Sequence, residues 1–278
     1  MPLTYWAAIY NTFGDPIQSL SDITASCSTG NCTFDLYHSL AICLYPVANL
    51  TSQLTATANS GEANCSKIEM KEGLYLPNCT YSLSNGMFLN TLEYEMNITS
   101  SSGLSSIAYP NMNQSLPLDF FVIYYSNNTN RIEALECAMR FCGQTYNSSV
   151  HSGQTVTTLT DTWGKLTVLP SQLNGVDTYY ILEGGPTIFT VDSNIPWAMA
   201  TPAEQIFQGL NSFEQMGEQF RDEWDMYQVS SGAQAIWSTL ATSDEMAAMT
   251  TLMENMAISL TNRYVAHTLL TVVCHPPP

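Results

Sequence analysis

At 278 residues and 45% hydrophobic side chains the chain can bury a sizeable core, yet only 11% of it is charged. Seven basic residues against 24 acidic ones leave a net charge of −17, a surface that repels phosphate backbones and excludes nucleic acid as a partner. Polarity comes instead from Ser, Thr, Asn and Gln, the surface style of secreted proteins.

The opening "MPLTYWAAIYNTF" has no basic start, and its apolar run is too short for the core of an export signal. From Cys27 to about Ile195 the pattern is strand and turn. "CSTGNC" places Thr29-Gly30-Asn31, turn material, between Cys27 and Cys32. In "TLEYEMNIT", Leu92, Tyr94, Met96 and Ile98 alternate with Glu93, Glu95 and Asn97, which predicts a half-buried strand with Asn97 on its polar face. "DFFVIYYS" (Asp119–Ser126) reads as a more fully apolar strand. "IEALECAMRFC" alternates, with Leu135, Cys137, Met139 and Phe141 on one face, and "TYYILEGGPTIFTVD" reads as a hairpin about Gly184-Gly185-Pro186.

The last third changes period. "TPAE" offers Thr201 as N-cap, Pro202 at the first helical position and Glu204 closing a capping box, after which Ile206, Leu210, Phe213, Phe220 and Trp224 recur at helical spacing. "GAQAIWSTL" is a short helix. A second capping box, Thr242 with Glu245, opens another helix, with the stripe Met246, Met249, Met253, Met256, Leu260 and Tyr264. "YVAHTLLTVVC" falls short of the roughly 18–20 apolar residues that span a bilayer and contains His267. The expectation is an α+β fold in one continuous extracellular domain, 1–278. A Cys-rich, glycosylated β portion (about 20–195), sandwich-like with antiparallel strands, precedes a helical portion with two long helices (about 196–273).

Asn-x-Ser/Thr sequons occur at Asn31, Asn49, Asn64, Asn78, Asn97, Asn113, Asn127 and Asn147, all before residue 150. With 15 asparagines and 32 Ser or Thr among those 150 residues, chance predicts roughly three sequons. The clustering points to a glycosylated face. The eight cysteines, Cys27, Cys32, Cys43, Cys65, Cys79, Cys137, Cys142 and Cys274, are even in number and fit a disulfide framework in an oxidising compartment. Eight cysteines allow 105 pairings, so connectivity stays open. If 133–142 is one regular strand, Cys137 and Cys142 lie roughly 16 Å apart and face opposite ways, so either the strand breaks or each reaches a distant partner.

Metal chemistry fares poorly. Zinc sites favour C-x2-C or closely spaced Cys and His, whereas here no C-x2-C exists and His38, His151, His267 and His275 are scattered. Three sequons, at Asn31, Asn64 and Asn78, overlap a cysteine, which also favours disulfides. The four methionines from Met246 to Met256 could offer thioethers to Cu(I) but read better as an adaptable packing face. Of the paired carboxylates, Glu93 with Glu95 faces solvent beside a sequon, and Glu223 with Asp225 is an acidic helix surface. Neither has the desolvation that would split two pKa values for glycoside hydrolysis. There is no G-x-S-x-G, no Gly-rich phosphate loop and no H-E-x-x-H. The sequence predicts no catalytic residue, no cofactor and no metal.

The run "CSTGNCTFDLYHSLAIC" (27–43) resembles the signature of a large fungal family of uncharacterised multi-pass membrane proteins designated only as a domain of unknown function. "CTYSL" (79–83), "ALECAMRFCGQTY" (134–146) and "AISLTNRY" (257–264) are similar to later stretches of the same family. The resemblance implies membrane helices outside this chain and a large outward-facing domain, at the plasma membrane or in the secretory pathway. It supplies no activity. It also implies a second cysteine at the position of Pro46, so one family disulfide is missing and another cysteine is left without its mate; "TVVCHPPP" supplies Cys274 where a membrane helix is expected. The function expected is a non-enzymatic domain for binding, sensing or surface structure, with a cell-wall glycan or another membrane protein as partner. The alternative is a secreted hydrolase of cell-wall glycans.

Overall fold

The computed structural model describes residues 27–269 apart from 60, 62–63, 72–73, 101–103, 113–115, 170–178, 193–194, 196–198, 200–204 and 213–230. The fold is α+β: antiparallel sheets, three disulfides and two helices late in the chain. The strands run β1 (Cys32–Thr33), β2 (Tyr37–Leu44), β3 (Ala48–Asn49), β4 (Thr55–Ala58), β5 (Lys67–Lys71), β6 (Leu74–Pro77), β7 (Cys79–Ser82) and β8 (Phe88–Asn90). They continue with β9 (Tyr94–Ser100), β10 (Leu118–Ser126), β11 (Arg131–His151), β12 (Gln154–Trp163), β13 (Lys165–Leu169), β14 (Tyr179–Glu183), β15 (Phe189–Asp192) and β16 (Gly209–Ser212). Helices α1 (Ser231–Leu240) and α2 (Glu245–Leu269) follow. The chain divides into two compact units, one of residues 1–44, 139–198 and 252–278, the other of 45–138 and 199–251. Each combines strands with helical residues.

In the 45–138/199–251 unit, β16, β9, β10 and the first part of β11 form an antiparallel sheet, with β3 alongside β11 at Leu135 and Glu136. All nine residues of β10 are buried. Its alternate residues explain why. Phe121, Ile123 and Tyr125 join Ile132 and Ala134 of β11 in a cluster with Leu50, Leu83, Met87 and Leu89, the last of these on β8 in the small β4-β7-β8 sheet. On the opposite face Phe120 stacks on Phe207 at 4.6 Å and Tyr124 reaches Glu245. A strand covered on both faces needs a continuous apolar run, which is what "DFFVIYYS" supplies. The β11 segment 132–138 is buried on both faces too, so Ala134, Glu136 and Ala138 are as hidden as Leu135 and Cys137.

Two helical expectations are corrected. Leu210, expected on a helix, lies on β16, which pairs with β9 at Asn97; completing that sheet edge satisfies backbone groups that a helix there would leave open. Gln205 and Ile206 of that expected helix are helical, while 201–204 and 213–230 lie outside the described residues. Helix α2 starts two residues after the expected cap: Asp244 accepts the Ala247 N–H at 3.1 Å as N-cap, while the Thr242 hydroxyl donates to the Thr239 carbonyl. Glu245 closes no box and is buried. Met249, Met253 and Met256 are fully buried, so the stripe is a packing face; Met246 is half-buried.

In the other unit, Met139–His151 of β11 is flanked on one edge by β2 and β1 and on the other by β12. The β11–β12 turn is the pair Ser152-Gly153, both at positive φ (53° and 79°), the two-residue geometry that matches strand twist. The far edge of β2 is closed at Ile42, whose N–H donates to the Thr261 hydroxyl at 2.9 Å while that hydroxyl donates back to the Ile42 carbonyl at 3.2 Å. Trp163, at the end of β12, occupies a slot next to Gly143 and Gly185, where a Cβ would fall 2.3 and 2.1 Å from the indole. The expected hairpin is β14–β15, turning through Gly184–Ile188, with β13 paired to β14.

Candidate functional site

The opening cysteine run is a double staple. Cys27 pairs with Cys32 across the Ser28–Asn31 turn, and Cys43 on β2 pairs with Cys142 on β11. The first loop braces the β11–β12 turn: Asn31 Oδ1 accepts the Ser152 N–H at 3.0 Å, and the Gly30 carbonyl accepts the Gly153 N–H at 2.9 Å. Cys65 pairs with Cys79. Strand β11 continues unbroken through Cys137 and Cys142, so Cys142 takes the distant partner, 99 residues away. Cys137 is fully buried and forms no disulfide. Cys274 lies outside the described residues.

The register along β11 changes by one residue opposite Cys137. Leu44 pairs with Met139 and Ala48 with Glu136, while the Tyr45 N–H donates to the Ala138 carbonyl at 2.9 Å. Residues 45–47 thus oppose only Ala138 and Cys137, and of them Pro46 is exposed while Val47 is buried.

Asn31, Asn49, Asn64, Asn127 and Asn147 are exposed, and Asn113 lies outside the described residues. Asn78 differs. It is 9% exposed, packed beside the Cys65–Cys79 staple, and its Oδ1 is buried without a partner. Asn97 is half-buried; its supposedly solvent face turns towards β8, where its Nδ2 donates to the Phe88 carbonyl at 2.5 Å.

Four buried carboxyls in the 45–138/199–251 unit escaped the sequence reading. Glu245 accepts from Tyr124 Oη and Ser126 Oγ, each at 2.7 Å, and from Asn128 Nδ2 at 2.9 Å, tying the start of α2 to the β10–β11 turn. Glu133 accepts from Thr129 Oγ1 at 2.8 Å and pairs with Arg131 Nε at 3.0 Å, and it shares the Tyr124 hydroxyl at 3.4 Å. Burial, then the Glu245 hydrogen bond and the two neighbouring charges, hold the Tyr124 hydroxyl firmly protonated. Glu136 accepts the Ser106 hydroxyl and the Ile107 and Ala108 N–H groups, at 3.1 and 2.8 Å for the latter two, which anchors the 104–109 loop.

Asp119 is the least satisfied of the four. Its Oδ1 is buried without a partner, and burial followed by the Glu136 charge pushes its pKa up to about 8. The same effects, burial first and then Asp119 and Glu136, push the Cys137 thiol well above its ordinary range, so it is a neutral, unreactive thiol. The signal for three of these groups was present as acids inside apolar strand runs, "DFF" and "IEALEC", but alternation puts Glu133 and Glu136 on opposite faces of β11 and does not reveal that both faces are covered.

One open groove, roughly 370 Å³, lies in this unit beside β9 and β16. Phe88, Asn90, Glu93, Tyr94, Asn97 and Gln208 are among its lining residues, and no Lys or Arg is. Phe88 is 52% exposed. Of the carboxylate pairs singled out from sequence, Glu93 is exposed at this groove and Glu95 is half-buried; Glu223 and Asp225 lie outside the described residues. His38 is bonded through Nδ1 to Thr145 at 3.0 Å and packs edge-on against Trp163, His151 is exposed, His275 lies outside the described residues, and nothing is described of the His267 side chain. Among the described residues no three His, Cys, Asp or Glu side chains gather into a metal-binding group, and no helix is long and apolar enough to cross a membrane. Compared with known proteins, the chain matches no family model, no curated protein and no solved structure.

Proposed function

We propose that this chain is the outward-facing, non-enzymatic domain of a fungal integral membrane protein, serving in binding, sensing or structure at the cell surface. The observation that carries the reading is the coexistence of three disulfides with five exposed sequon asparagines. Disulfides persist in oxidising compartments, and sequons are used only there. The resemblance of residues 27–43 to the fungal membrane family supports the same placement, with the membrane segments lying outside this chain. Glu133, Glu136 and Glu245 are each saturated by internal donors, which favours a fold-building role for them over acid–base chemistry. A cell-wall glycan or a second membrane protein is the partner that fits an acidic surface poor in cations.

The test is to produce the chain through a yeast secretory pathway and screen it against cell-wall polysaccharides. Saturable binding without release of reducing ends supports the reading. Turnover that is lost on replacing one buried acid would replace it with a wall-glycan hydrolase.

A further inference from the structure

The groove and one sequon coincide. Met96 and Ile98 of β9 are fully buried on one face of the sheet, so the intervening Asn97 projects from the other. Its cross-strand partners are Ile123 on β10 and Leu210 on β16, which places it within the sheet and away from any loop tip. There it lines the groove together with Phe88, Tyr94, Asn90 and Gln208. Its side chain is held at both ends: Nδ2 donates to the Phe88 carbonyl at 2.5 Å, and Oδ1 accepts the hydroxyl of Thr99, the third residue of the sequon, at 3.3 Å.

We infer that this groove is the seat of an N-linked glycan carried by Asn97, the core sugars lying against the exposed Phe88 ring. The inference rests on the secretory reading above. In the modification, Asn97 Nδ2 forms a bond to the anomeric carbon of a lipid-pyrophosphate-linked oligosaccharide. The bond from that carbon to the pyrophosphate oxygen breaks, the lipid pyrophosphate leaves, and the nitrogen gives up one proton. The second Nδ2 hydrogen remains, so the bond to the Phe88 carbonyl survives and fixes the direction in which the sugar departs. Because Asn97 is half-buried and engaged in the folded protein, transfer takes place before β8 closes over β9. The lining suits a neutral sugar: an aromatic face for the apolar side of a pyranose ring, amides from Asn90 and Gln208 for its hydroxyls, and no cation to favour an anion. It also accounts for a phenylalanine left half in water at the rim of a well-packed sheet.

The experiment uses the whole chain secreted from yeast, with glycopeptide mapping of every sequon and digestion of the native protein by an endoglycosidase that cuts between the two core sugars. The glycan at Asn97 should be present and cut at least about tenfold more slowly than those at Asn127 and Asn147, which stand exposed. Phe88→Ala should abolish the protection and Phe88→Trp, which keeps an aromatic face, should retain it. Circular dichroism and the retained disulfides check that both variants are folded. Glycans at Asn127 and Asn147 with Asn97 bare, or an Asn97 glycan cut as fast as theirs, overturn the proposal alone. Bare asparagines at all sequons overturn the secretory reading and this proposal together.

Discussion

The three disulfides close loops of very different length, and that difference sets a measurable order of stability. Cys27–Cys32, Cys65–Cys79 and Cys43–Cys142 have sequence separations of 5, 14 and 99. If each bridge acts mainly by restricting the unfolded chain, loop closure is worth about 2, about 3 and about 4.7 kcal/mol respectively. Replacing each pair by alanines, one pair at a time, therefore predicts that C43A/C142A loses the most and C27A/C32A the least. Both cysteines of a pair must go, since a lone Cys142 thiol would be free to exchange with the other cysteines. The assay is equilibrium urea unfolding of secreted, oxidised protein, followed by tryptophan fluorescence and far-ultraviolet circular dichroism together. If C43A/C142A costs no more than C27A/C32A, loop entropy is not what the long bridge contributes. A purely local role, holding β2 against β11 at Ala41 and Cys142, would then take its place.

Other substitutions test separate parts of the structure. Asp119→Asn tests the buried acid. Its folded pKa of about 8 lies above the ordinary 3.8, so the folded state keeps a proton that the unfolded chain releases. The parent should lose stability relative to the variant as pH rises from about 4 to about 8, by up to about 1.4 kcal/mol per pH unit, and level off above that. Urea midpoints at pH 5 and pH 8 measure it, and equal shifts in both proteins would show that Asp119 does not titrate there. Gly143→Ala would put a Cβ 2.3 Å from the Trp163 indole, costing about 1–3 kcal/mol by overpacking; unchanged stability and tryptophan emission would mean the slot can widen.

Much of the fold was legible because it is local. The alternation around Met96 and Ile98, the apolar run of β10, the Gly-Gly-Pro turn before β15 and the methionine stripe of α2 each report one element's own period. The mistakes were made where a second element intervenes. Leu210 carries a helical spacing, but the open edge of β9 recruits its segment as a strand. Thr242 and Glu245 have capping-box spacing, but Glu245 is drawn to Tyr124, Ser126 and Asn128, leaving Asp244 to cap. Alternation puts the two acids of the "IEALEC" run on opposite faces, and only packing on both sides of β11 buries both.

By itself the sequence determined the covalent style of this protein, which is consistent with an oxidising compartment. Eight cysteines and a scarcity of cations are properties of composition, and the clustered sequons are three-residue motifs, so all of them hold whatever way the chain folds. Only the tertiary structure decided which cysteines join, that Cys137 is buried outside the three disulfides, and that Asn97 looks into a groove while Asn127 and Asn147 face water. Those outcomes depend on strand register and on which faces are covered. Both are set by pairings between residues as many as 219 positions apart, such as Ile42 with Thr261, and no local period encodes them.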